Sequence, residues 1–189
     1  VHLLANFPNQ IYILPFIMPI YSPKQIIAHQ HRFERVGALR WEDGKNHQLP
    51  QDYADMQGWR ELAQLADMAY ARVKDKSAVL VRSDNYGEAG AINYYSKFKN
   101  INVVSYNADY LYWFKLEKPI KHVILIRAPK EEDPERKKEQ PFFEKIIRIG
   151  EVRNPYAREK GARVFLLENA KIDINSRIEK EIEEEQHDH

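Results

Sequence analysis

The fold is decided by Ala78-Val79-Leu80-Val81-Arg82-Ser83-Asp84-Asn85-Tyr86-Gly87-Glu88-Ala89-Gly90-Ala91. Its first four residues form a short unbroken apolar run, as suits a strand buried on both faces. Ser83 to Gly87 then supplies turn residues. From Glu88 to Lys99 the apolar positions Ala91, Ile92, Tyr95 and Phe98 return at helical spacing. Strand, turn and helix follow one another with no residue to spare.

The same grammar continues downstream. Val103-Val104 and Val123-Ile124-Leu125-Ile126 read as a second and a third buried strand, with a short helix or turn at Tyr110 to Phe114 between them. Lys130 to Gln140 is almost wholly charged and holds Pro134, so it reads as a solvated loop. Two more strands are expected at Lys145 to Val152 and Arg163 to Leu167, then an acidic helix capped by Asp173 or Asn175 with Ile174, Ile178 and Ile182 in one stripe. Alternating strands and helices imply an α/β fold. The expected form is three-layered, a mostly parallel central sheet with helices on both faces and antiparallel edge strands.

Upstream, Pro23 to Val36 predicts a short helix with Ile26, Ile27, Gln30 and Phe33 along one side. Asp52 or Asp55 is placed to cap a long helix reaching Lys74, through Trp59, Leu62, Leu65, Ala66, Ala69 and Val73. Val1 to Ser22 carries no fixed charge but contains Pro8, Pro15 and Pro19, each of which removes a helix hydrogen bond. It therefore reads as extended chain, either emerging from a membrane or covering a groove of the domain's own core. The chain starts at Val1, which suggests a processed or partial product. The expected organisation is a Pro-rich juxtamembrane segment over 1–23, a soluble α/β domain over 24–174 and an acidic helix and tail over 175–189.

Composition narrows the chemistry. A chain of 189 residues with 43% hydrophobic content can bury a core unaided. Its 29 basic and 28 acidic residues nearly cancel, which argues against a nucleic-acid partner. Without cysteine there are no disulfides, thiolate metal sites or cysteine nucleophiles. His29 and His31 point to different faces of a helix, and His187 and His189 sit on an acidic tail, so no metal site is expected. No G-x-S-x-G elbow is present either.

Two loops remain as candidate binding elements. Asp84, Asn85, Tyr86, Gly87 and Glu88 lie just beyond a strand and open a helix, where backbone N–H groups face outward. The spacing matches neither a dinucleotide fingerprint nor a P-loop, and no cofactor is expected. Structural packing is the leading reading over nucleotide binding, with Asn85 as cap, Glu88 three residues on as in a capping box, and Gly90 against the sheet. The second loop, Ser105 to Phe114, offers Asn107, Tyr110 and Trp113, aromatic and amide groups suited to stacking on a sugar and bonding its hydroxyls. Both loops are expected at one end of the parallel strands. A carboxylate pair from Glu88 and Asp109 is a further possibility, provided both face an open cleft at glycosidase separation.

Three blocks carry a resemblance: Leu49-Pro50-Gln51-Asp52-Tyr53-Ala54-Asp55-Met56-Gln57-Gly58-Trp59, then Asn85-Tyr86-Gly87-Glu88-Ala89-Gly90-Ala91, then Asn154-Pro155-Tyr156-Ala157-Arg158-Glu159. They resemble the C-terminal soluble region of bacterial dolichyl-phosphate-mannose–protein mannosyltransferase-like glycosyltransferases, relatives of the aminoarabinose transferases. The resemblance implies a parent with many membrane helices that moves a sugar from a polyprenyl-phosphate donor to an acceptor outside the cytoplasm. It implies that the catalytic carboxylate belongs to the membrane portion, so no catalytic residue is expected here. The expected partners are that membrane portion and a glycan or lipid-linked sugar, on the periplasmic side. The family often carries a Gly-His pair before the asparagine of the second loop, where this chain has Tyr106 before Asn107. The alternative is a free-standing α/β module that binds a sugar or a nucleotide.

Overall fold

The computed structural model describes Met18, residues 20–130 and residues 132–187. Most of the proline-rich stretch read as chain leaving a membrane lies outside these residues, as does His189. No described helix is long and apolar enough to cross a membrane. The chain divides into two compact units, Val1–Gln57 with Pro155–Arg158, and Gly58–Asn154 with Glu159–His189.

The first unit holds helices α1 (Pro23–Ala28), α2 (Gln30–Arg35) and α3 (Gln51–Asp55). Ser22 caps α1 in a reciprocal box with Gln25, and Pro23 takes the first turn. The single helix expected to Val36 breaks at His29, whose backbone leaves the helical region. Ile26, Phe33, Leu39, Leu49 and Tyr53 form the core, with Tyr156 packed against it. Arg158 pairs with both Asp55 and Glu42 at 3.3 Å.

The second unit carries the sheet. Helix α4 (Trp59–Arg72) leads through a short 3-10 turn to β1 (Val79–Arg82), α5 (Tyr86–Tyr95) and β2 (Val103–Val104). A 3-10 segment, Ala108–Trp113, precedes β3 (His122–Arg127), and β4 (Phe143–Glu151), β5 (Arg163–Ala170) and α6 (Ile174–His187) complete it. The long helix expected from Asp52 to Lys74 is two helices. Gly58 stands between them at φ +85°, a left-handed conformation that interrupts helical hydrogen bonding and suits glycine.

The strand order is β2-β1-β3-β5-β4. β1 runs parallel to β2 and β3, while β5 is antiparallel to β3 and to β4. The expectation of a mostly parallel sheet is corrected, because the antiparallel ladders are the longer ones. No helix separates β4 from β5, so the connection returns the chain antiparallel. Nor is β5 an edge: Val164 to Leu167 are all buried between two neighbours, and β4 forms the rim.

Leu80, Val123, Leu125, Phe165 and Leu167 cluster with Ile174 and Ile178 of α6. Gly150 on β4 admits Leu65 of α4, whose side chain would meet a Cβ there at 2.6 Å. The charged loop after β3 is not wholly solvated, since Arg136 is only 1% exposed.

Candidate functional site

The loop after β1 is built on two carboxylates, Asp84 partly exposed and Glu88 buried. One oxygen of Asp84 pairs with Arg127 at 2.6 Å, and the other accepts the Ala128 N–H at 2.7 Å. Asp84 thus ties the end of β1 to the end of β3. Asn85 caps α5 by accepting the Glu88 N–H at 2.9 Å. Glu88 reaches back to accept the Asp84 N–H at 3.1 Å, one residue earlier than a reciprocal capping box.

Glu88 is fully buried, and its other oxygen has no hydrogen-bond partner. Burial, then the negative charges of Glu159 and Asp84, push its pKa up to about 8. A neutral acid is the form that this enclosure favours. Glu88 therefore faces no open cleft, and the glycosidase pairing with the exposed Asp109 is ruled out. A phosphate at the α5 N-terminus would also meet Asn85 already occupying the capping position.

The loop after β2 starts from a braced edge. The side-chain amide of Asn93 donates to the Val103 carbonyl and accepts the Val103 N–H, both at 2.9 Å, as a neighbouring strand would. Ser105 is buried and accepts the Asn107 N–H at 3.1 Å, turning the chain outward. Ala108 follows at φ +56°, and the segment closes with Tyr110 and Trp113 packed 4.3 Å apart. Asn107 and Asp109 are exposed, Trp113 is 48% exposed and Tyr112 72%.

The two loops meet at one point. The Tyr110 hydroxyl lies against Gly90, 3.2 Å from where a Cβ would stand. Tyr86 and Tyr94, four residues to either side of Gly90, fall on the same helical flank and are 58% and 75% exposed. Tyr86 and Tyr94 thus stand exposed on the flank of α5 that the half-buried Tyr110 meets, and Trp113 packs on Tyr110; these four rings, with Asn107 of the same loop, are the candidate aromatic face. Gly87 belongs elsewhere, turned toward Trp59 of α4.

Glu181 of α6 accepts from the Tyr106 hydroxyl at 2.6 Å and pairs with Arg82 at 3.3 Å and Arg177 at 3.0 Å. Burial opposes the charge on Glu181, but the hydrogen bonds from Tyr106 and Arg177 outweigh it and hold the carboxyl below its usual range. Burial also raises the Tyr106 hydroxyl. Tyr106 stacks on Phe114 at 5.0 Å, and its hydrogen bond to Glu181 ties the loop to α6.

Sequence reasoning missed Tyr94, Asn93 and Arg127. Tyr94 was legible from its spacing to Tyr86 and Gly90, on the flank away from buried Ala89 and Ile92. Arg127 and Asn93 act through tertiary partners that spacing does not reveal. No cluster of three or more potential metal-ligating side chains occurs among the described residues. Comparison with family models, curated proteins and solved structures finds no match to this chain.

Proposed function

We propose that this chain is a non-catalytic, extracytoplasmic domain of a membrane glycosyltransferase that transfers a sugar from a polyprenyl-phosphate donor. Its aromatic face recognises a sugar of the acceptor or donor, and the membrane portion performs the chemistry. The observation that carries this reading is the meeting of the two loops at Gly90 and Tyr110. Exposed Tyr86, Tyr94 and Trp113 and half-buried Tyr110 lie on these elements, while Glu88 is buried and the partly exposed Asp84 is engaged by Arg127 and the Ala128 N–H. Ring faces of this kind suit the C–H surfaces of a pyranose, and Asn107 suits its hydroxyls.

The sheet unit is read as three-layered, with α4 and α5 on one side and α6 on the other. Strand alternation supports this: Gly150 opposite Val164 receives α4, and Phe165, one residue on, packs with α6.

Titration of the chain with neutral oligosaccharides, followed by tryptophan fluorescence, tests the proposal. A saturable change that disappears in Trp113→Ala supports it. A change that survives Trp113→Ala removes this face from consideration. Hydrophobic spans encoded upstream separate the membrane-enzyme reading from a free-standing sugar-binding module.

A further inference from the structure

Arginines gather at one end of the sheet, on one face. Register sets Arg127 of β3 directly opposite Arg163 of β5, and Arg82 of β1 opposite Leu125. Side chains alternate along a strand, so Arg82, Arg127 and Arg163 share the face of Leu80, Leu125 and Phe165. Arg136, from the loop after β3, adds a fourth cation there. It is almost fully buried, with its guanidinium carbon 5.6 Å from the Phe165 ring centroid.

Like charges opposed across antiparallel strands repel, and burial deepens the cost. Arg82 is answered by Glu181 and Arg127 by Asp84. Arg136 donates through Nε to the Asp133 carbonyl at 2.9 Å and meets Glu139 at 3.4 Å. At Arg163 the Nε and Nη1 atoms are buried without a hydrogen-bond partner among the described residues. Its ladder neighbour Glu151 pairs with Arg148 instead. Burial, and more weakly the nearby Arg127 and Arg82, lower the pKa of Arg136 against the pull of Glu139.

A cleft of about 370 Å³ opens beside this row, with Arg127, Arg136, Lys138 and Asp84 in its wall. It lies beyond the carboxyl ends of β1 and β3. From β1 the chain crosses to β2 on one side and then to β3 on the other, and at such a switch point α/β sheets hold their ligands. The wall also carries Lys130, Glu132, Asp133 and Glu139, and one Glu139 oxygen is buried without a hydrogen-bond partner among the described residues. The Asp133 carboxylate accepts the Lys137 and Lys138 N–H groups at 3.0 and 2.9 Å, and Asp84 accepts from Ala128.

We propose that this cleft binds a phosphate group, free or as a monoester, through Arg127 and Arg136, and that the Asp84 carboxylate is the internal competitor it displaces from Arg127. The site is separate from the aromatic face and stands or falls without it.

Isothermal titration of the whole chain at fixed ionic strength, with sodium phosphate, glucose 1-phosphate and chloride as control, tests the assignment. Phosphate is expected to bind saturably where chloride does not. Arg127→Gln is expected to weaken binding about tenfold, and Asp84→Asn to tighten it about tenfold, the size of one charge-assisted hydrogen bond forgone or one competitor removed. Tighter glucose 1-phosphate identifies a phosphomonoester as the ligand, and equal affinity identifies free phosphate. Should Asp84→Asn fail to fold, Arg127→Lys replaces it: the charge stays but the two-pronged geometry goes, and phosphate binding must weaken at unchanged thermal unfolding. Absence of binding by either phosphate to the unmodified chain, or weaker binding by folded Asp84→Asn, overturns the proposal.

Discussion

The Tyr110 hydroxyl rests against Gly90, so that the second loop is seated on the helix that follows the first. A Cβ at Gly90 would stand 3.2 Å from that hydroxyl, tighter than ordinary contact but against the far end of a side chain. Gly90→Ala should therefore be accommodated by a small shift of Tyr110, offset by a helix-propensity gain of about 1 kcal/mol. Gly90→Leu should displace Tyr110 altogether. Circular dichroism should stay near that of the unmodified chain, while Trp113 emission shifts and sugar binding disappears.

Glu88 makes stability depend on pH in an unusual direction. Its folded pKa is raised from 4.5 to about 8, by burial first and then by Glu159 and Asp84. The folded chain therefore holds a proton that the unfolded chain releases. The favourable contribution is complete below the unfolded pKa and is lost as pH rises toward about 8. Glu88→Gln should remove this dependence and stabilise the fold above pH 8 by a few kcal/mol, on the order that the shift implies. Urea unfolding across the pH range reads it directly.

Asp84 joins the ends of β1 and β3 through one ion pair and one backbone hydrogen bond. Asp84→Ala leaves the Ala128 N–H and the Arg127 guanidinium without that carboxylate, and should cost about 1–3 kcal/mol in chemical denaturation. Hydrogen exchange at Ala128 should accelerate more than at Ser83, whose N–H donates to the Val104 carbonyl independently of Asp84.

Glu181 works in the opposite sense to Glu88. Its folded pKa is lowered, with burial opposing and the bonds from Tyr106 and Arg177 prevailing. Its contribution is present above the usual carboxylate range and lost as pH falls through the folded value. Glu181→Ala should cost about 1–3 kcal/mol near neutral pH and much less in acid, where protonation has already weakened the same bonds in the unmodified chain. Proteolysis within α6 should increase in parallel.

Much of the sheet was legible because continuous apolar runs marked β1, β2 and β3. The place of β5 was legible too. Val164-Phe165-Leu166-Leu167 is unbroken and therefore interior, whereas β4 carries Glu144, Lys145, Arg148 and Glu151 and belongs at a rim. Reading both as edges missed that contrast. Gly58 and His29 were missed as helix breaks because the apolar period continues across each of them. At the site, the Asn85 cap follows from local spacing alone. The pairing of Asp84 with Arg127, the burial of Glu88, the seating of Tyr110 on Gly90 and the burial of Arg136 each depend on residues far away in sequence, which periodicity cannot supply.

The proposed role is that of a recognition surface without a reaction centre of its own. A two-dimensional ¹H–¹⁵N NMR titration of the chain with a neutral oligosaccharide tests binding and turnover in one tube. Saturable shifts are expected at the Trp113 indole and at the Tyr86, Asn107 and Tyr110 amides, with the oligosaccharide recovered intact. Cleavage of the sugar, or shifts that bypass these residues, would contradict this role.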